Sequence, residues 1–110
     1  MATIQNITID QDADYTETLT IKDSTGTVVD LSSLTITASM RKHHNSSTAT
    51  DFATAVVSAT DGTCTITLTD VVTAALEEGR YVWDLVTTDG SGLKTRRIEG
   101  RATVTPSVTR

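Results

Sequence analysis

Leu76-Glu77-Glu78-Gly79-Arg80-Tyr81-Val82-Trp83 is the phrase on which the fold turns. Before it, Thr69 to Gly79 is the one helical passage in the chain: Thr69 or Asp70 is placed to cap it, Val72 and Leu76 fall one turn apart, and Gly79 is suited to the residue just past its end. Two turns at most fit there. After it, Tyr81, Trp83 and Leu85 alternate with Val82, Asp84 and Val86, so the strand Arg80 to Thr88 is apolar in both phases and is expected to be covered on both faces.

Outward from that phrase the chain alternates. Thr3 to Ile9 reads as a first edge strand, its phase broken between Ile4 and Ile7. Asp10 to Asp14 is an acidic turn. Tyr15 to Lys22 puts Tyr15, Leu19 and Ile21 opposite Thr16, Thr18 and Thr20. Asp23-Ser24-Thr25-Gly26 turns the chain, with Thr27 to Val29 as the return arm of a short hairpin and Asp30-Leu31-Ser32-Ser33 as a corner. From Leu34 the inward set is Leu34, Ile36, Ala38 and Met40. His43 to Asp51 is an irregular loop, Phe52 to Ala59 a weaker strand, and Asp61-Gly62 a hairpin turn leading to inward Cys64, Ile66 and Leu68. Asp89-Gly90-Ser91-Gly92 closes the last hairpin, and Leu93 to Thr105 is the final strand, where Gly100 marks a bulge or a close approach.

Composition agrees with this pattern. Of 110 residues, 24 are threonine, a residue whose branched Cβ suits a pleated strand and whose hydroxyl tolerates water. Coiled coils and βαβ enzymes are excluded. Seven or so short strands with one short helix predict an all-β fold, an immunoglobulin-like antiparallel β-sandwich forming a single domain over residues 1–110. In such sandwiches a tyrosine often sits two residues before the cysteine that bridges the sheets; Tyr81 occupies the tyrosine's place and Trp83 the cysteine's. A tyrosine and a tryptophan two apart on any core strand give the same pattern, and a small barrel is the competing architecture.

The net charge of −5 argues against nucleic acid and anionic membranes as partners. A single cysteine, Cys64, allows no internal disulfide and no thiolate zinc cluster, which is compatible with a reducing folding compartment. The first residues lack the basic start and apolar run of a secretory signal, so the expectation is a soluble chain that begins mature.

Chemistry-bearing groups are few. His43 and His44 are neighbours whose side chains diverge in an extended loop, so a metal would need one of them plus distant carboxylates. Cys64 reads as an inert core thiol. Asp10, Asp12 and Asp14 lack the other ligands of a calcium loop, since the twelfth position from Asp10 is Ile21. No catalytic, cofactor or metal residue is therefore assigned. What remains is a surface: Val82, Asp84 and Val86 form an apolar phase around one acid, for which Arg41 or Arg97 is the expected partner. Strict alternation on the last strand puts Arg97, Glu99 and Arg101 on one face and Lys94 and Arg96 on the other. Arg41, Val82, Asp84, Val86, Arg97 and Arg101 are the expected interface residues.

Several phrases taken together resemble small structural proteins of tailed-bacteriophage virions, and the N-terminal immunoglobulin-like module of upper-baseplate proteins. They are Ile7-Thr8-Ile9-Asp10-Gln11, Leu19-Thr20-Ile21-Lys22-Asp23-Ser24-Thr25-Gly26, Val28 through Lys42, Ala74-Ala75-Leu76-Glu77-Glu78-Gly79, Tyr81-Val82-Trp83-Asp84-Leu85, and Arg96 through Arg110. The resemblance spans nearly the whole chain. The family's Asp-Leu corner falls on Asp30 and Leu31, its arginine on Arg41, its Tyr-x-x-Asp-Leu phrase on Tyr81, Asp84 and Leu85, and its Glu-Gly on Glu99 and Gly100. The chain departs from it at Ser32-Ser33-Leu34 and in the His43–Asp51 loop. The resemblance implies a non-enzymatic virion protein, assembled in the host cytoplasm by self-association or docking in the tail, baseplate or fibre-attachment region. Because the chain stops at Arg110, any receptor-binding part is expected on another polypeptide. A capsid cement or decoration protein is the alternative, and a carbohydrate- or host-surface-binding module a further one.

Overall fold

The inward and outward phases read from the sequence become the two faces of two packed sheets in the computed structural model, which describes residues 3–23, 25–43 and 45–106. The strands are β1 (Thr3–Ile4), β2 (Ile7–Asp10), β3 (Tyr15–Thr20), β4 (Thr35–Arg41), β5 (Thr50–Asp51), β6 (Ala53–Ser58), β7 (Thr63–Leu68), β8 (Gly79–Thr88) and β9 (Lys94–Thr105), with helix α1 (Asp70–Ala74) between β7 and β8. The larger sheet runs β1-β9-β8-β4-β5, with β2 continuing along β9; the smaller runs β3-β7-β6. All pairings are antiparallel except β1 and β2, which lie parallel to β9.

From β3 in the smaller sheet the chain crosses to the larger (β4, β5), returns to the smaller (β6, β7) and crosses again (β8, β9), a Greek-key path, and this with the first-to-last strand pairing makes the fold an immunoglobulin-like sandwich. Its two ladders share no strand, so it is not a barrel. The tyrosine corner is formed: the Tyr81 hydroxyl donates to the Glu77 carbonyl at 3.0 Å. Between the sheets lie Ile9, Val104, Trp83, Leu85, Ala38 and Met40 from one side and Leu19, Ile21, Cys64, Ile66 and Leu68 from the other, all buried. Each large aliphatic side chain so enclosed contributes roughly 1.5–3 kcal/mol by leaving water.

The short hairpin returning through Thr27 to Val29 forms as read, with an antiparallel bridge from Lys22 to Val28 and the Val29 amide donating to the Ile21 carbonyl, while the Asp23 carboxylate takes the amides of Thr25 and Thr27 and holds its turn. Four local readings are corrected. Helix α1 ends at Ala75, so Gly79 is not its terminator; with φ 131° it begins β8. The helix cap comes from outside: Thr69 makes no side-chain cap, and the Asp14 carboxylate accepts the Asp70 amide at 2.8 Å. The end of the expected loop forms β5, and at Phe52 the chain leaves the larger sheet, its amide donating to Ala38, to become β6 of the smaller. Finally, β8 is covered on one face only: Val82, Asp84 and Val86 are half-exposed.

Gly100 is a close approach. A Cβ there would fall on the Gln5 carbonyl, where the chain crosses from β1 to β2. That carbonyl also accepts the Trp83 indole N–H at 2.9 Å, so the missing side chain leaves room for the hydrogen bond that satisfies the buried indole.

Candidate functional site

Antiparallel pairing places partnered residues on the same side of a sheet, so the register builds the outer face of the larger sheet row by row. One row is Arg96, Val86 and Thr37; the next is Ile4, Glu99, Asp84, Ser39 and Asp51; the third is Arg101, Val82 and Arg41. Arg80, paired with Thr103, begins a fourth. An acidic row thus lies between arginine-bearing rows. The face is concave across its middle, a cleft of about 660 Å³ bordered by Ile4, Val82, Arg41 and Arg101 over a floor that includes Asp84.

Arg96 is the partner of Asp84, at 3.3 Å, and also reaches Glu99 at 3.4 Å. The Arg41 guanidinium instead donates to the Ser46 carbonyl at 2.6 Å, and Asp51 accepts the Ser39 hydroxyl at 2.6 Å. Among the described residues, Arg41, Arg80 and Arg101 form no ion pair with a carboxylate.

The structure therefore brings together Arg41, Val82, Asp84, Val86 and Arg101 and separates Arg97 from them. The cause is a register shift between Leu85 and Val86: Leu85 pairs with Ile98 but Val86 pairs with Arg96, skipping Arg97. Arg96 consequently joins the outer face, while Arg97 donates through Nε to the hydroxyl of buried Thr87 at 3.0 Å. Neither Arg41 nor Arg97 neutralises Asp84. Sequence reasoning missed Arg96 as the partner, Ile4 as a contributor from β1, and Arg80. No local pattern marks Arg96, because the shift that turns it outward is set only when β8 and β9 pair, Trp83 with Gly100 and Val86 with Arg96.

The remaining candidates are structural in their surroundings. Cys64 is buried, and desolvation pushes its thiol pKa up, away from thiolate chemistry. Asp10 accepts the Thr105 hydroxyl and Asp14 caps α1, so two acids of that turn hold the fold, while Asp12 stands exposed at φ 65°. Asp89 accepts the amides of Ser91 and Leu93 and the Ser91 hydroxyl, which holds its carboxyl below the usual range and fixes the hairpin. His43 is exposed and His44 lies outside the described residues. Among the described residues no three His, Cys, Asp or Glu side chains gather to hold a metal, and no helix is long and apolar enough to cross a membrane.

No protein-family model matches the chain, and no curated protein does. Among solved structures it is similar to a Listeria monocytogenes internalin-like protein, lmo2027, at 14% identity and TM-score 0.47, over 96% of this chain and 28% of that one. The chain thus spans under a third of that protein's length. It is also similar to murine CRIg, at 10% identity and TM-score 0.42, over 93% of this chain and 92% of that one.

Proposed function

We propose that this chain is a non-enzymatic structural protein of a tailed-phage virion, which assembles by protein–protein contacts in the tail, baseplate or fibre-attachment region. The observation that carries the docking role is the outer face of β8, where Val82 and Val86 are half-exposed beside Asp84 and ringed by arginines. Apolar side chains within a charged frame are what a protein interface offers, with buried contacts at the centre and a polar rim. The virion assignment rests on the sequence phrases given above. Within it, the interface residues are Arg41, Val82, Asp84, Val86 and Arg101; its partners are other virion proteins or copies of itself, and it acts without a cofactor. Arg97 is set aside because it binds Thr87 instead.

A sugar-binding role has less to build on. Such sites favour exposed aromatic platforms, and Trp83 and Phe52 are buried, with Tyr81 committed to its corner.

The test is whether the chain is present in particles purified from the culture that produces it, by peptide mass spectrometry and by antibody labelling in the electron microscope. Label at the tail or baseplate supports the proposal. Label over the shell moves the chain to the decoration class, and absence from purified particles overturns the virion reading.

A further inference from the structure

Charge is unevenly distributed over this molecule. The outer face of the larger sheet carries five cations (Arg41, Arg80, Lys94, Arg96, Arg101) against four acids (Asp10, Asp51, Asp84, Glu99), so it is net positive in a chain of net charge −5. Arg96 is saturated by Asp84 and Glu99. The other three arginines surround Val82: Arg41 and Arg101 flank it on the neighbouring strands, rooted roughly 10 Å apart at ordinary strand spacing, and Arg80 lies two residues along β8. Three guanidiniums without a carboxylate, placed around Val82, two of them on the border of the cleft, complement a short acidic segment.

This chain presents such a segment. The turn Asp10-Gln11-Asp12-Ala13-Asp14 has an acid at every second position, and Asp10, Asp12 and Asp14 are all exposed. Asp12, at its tip, makes no hydrogen bond or ion pair among the described residues. We infer that the arginine triangle around Val82 docks the Asp10–Asp14 turn of a second copy of this chain. This rests on the assembly reading above and names the partner of that face. The same turn-to-face contact serves a two-fold pair, in which each copy gives and receives it, or a head-to-tail series.

The test is charge exchange in the full-length chain, read as solution mass by sedimentation and light scattering. One variant carries Arg41→Glu and Arg101→Glu; the other carries Asp10→Lys and Asp12→Lys. The wild type should associate with rising concentration, and should dissociate between about 0.01 M and about 1 M salt, as the screening length falls from about 30 Å to about 3 Å. Each variant alone should be monomeric. Their equimolar mixture should recover the associated mass, because the acidic turn kept by one meets the arginines kept by the other, while the reversed face and the reversed turn match each other. Since lysine is strained at the positive φ of residue 12, Asp10→Asn with Asp12→Asn serves as a milder variant whose association should weaken while its circular dichroism stays unchanged.

A wild type that is monomeric at every concentration in low salt overturns the inference, as does an association untouched by the arginine reversals or not restored on mixing. The particle analysis is independent of these results. A chain found in virions yet monomeric in solution leaves the virion reading standing and assigns the face to an acidic surface on a different protein. A chain absent from particles whose charge exchange succeeds loses the virion reading and keeps the self-association.

Discussion

Substituting Gly100→Ala tests the crossing of the first strand over the last. The new Cβ would fall on the Gln5 carbonyl and lie 2.7 Å from its carbon and 3.2 Å from the Asn6 side-chain oxygen, so the Gln5–Asn6 backbone has to move. Three hydrogen bonds depend on where it now sits: Gln5 N–H to Glu99 O at 2.8 Å, Trp83 indole to Gln5 O at 2.9 Å, and Arg101 N–H to Asn6 Oδ1 at 3.0 Å. Leaving the buried indole donor unpaired costs about 1–3 kcal/mol. Forcing a methyl into filled space costs about 1–3 kcal/mol more. Alanine restricts the unfolded chain and returns about 0.4–1 kcal/mol, for a net loss of about 3 kcal/mol. Against a domain stability of about 5–15 kcal/mol that is a large fraction, expected to lower the melting temperature by roughly 10–20 °C. Trp83 is the only tryptophan, so urea unfolding followed by its emission reports directly on the affected site. The midpoint should fall with the slope unchanged. Trp83→Phe should reduce the penalty of the alanine in a double-mutant cycle read by circular dichroism. A Gly100→Ala midpoint equal to wild type would refute the argument, since it requires that the close approach be absent or free to relax.

Other expectations follow from single side chains. Among the described residues the buried Tyr15 hydroxyl has no hydrogen-bond partner, and burial, with the Glu17 charge adding to it, pushes its pKa up to about 12. Because the folded pKa exceeds the unfolded value, its contribution is complete below about pH 10 and is lost as pH rises towards 12; Tyr15→Phe should flatten alkaline unfolding in that window without reducing stability at neutral pH. Asp23, Asp30 and Asp89 have carboxyls held below the ordinary value, chiefly by hydrogen bonds from Thr25, Ser32 and Ser91 respectively. Their contribution is therefore present above the unfolded pKa and lost as pH falls through the folded one, so Asp89→Asn should flatten the acid limb of a pH-melting series below about pH 4. Arg96→Ala should change stability by no more than about 1 kcal/mol in denaturant unfolding, since both of its ion pairs are open to solvent.

The sandwich was legible because its central strands keep a strict two-residue period: Ala38 and Met40 on β4, Cys64, Ile66 and Leu68 on β7, and Trp83 and Leu85 on β8 are buried as their phase requires. The corner was legible for a similar reason, since Tyr81 and its acceptor Glu77 both lie within one local phrase. The composition of the candidate face was half legible. Val82, Asp84 and Val86 share a phase on one strand, whereas Arg96 and Arg97 exchange sides through a shift that arises only when two strands are fitted together. Likewise the helix cap from Asp14 and the Thr73 hydroxyl bonded to Ala13 join residues 56 and 60 positions apart, a distance over which no periodicity carries information. The turn at Phe52 from one sheet to the other looks, from sequence, like the start of an ordinary strand.

The parallel alignment of β1 and β2 with β9 has a mechanical consequence. In this arrangement the chain enters at Thr3 beside Ile98 and leaves at Thr105 beside Asp10, so tension applied at these two points pulls neighbouring strands past one another. The cross-strand hydrogen bonds then share the load together instead of parting one after another from an end. A unit tethered through both flanks would yield abruptly, at a high force, while the same unit pulled apart across its sheets would open by degrees.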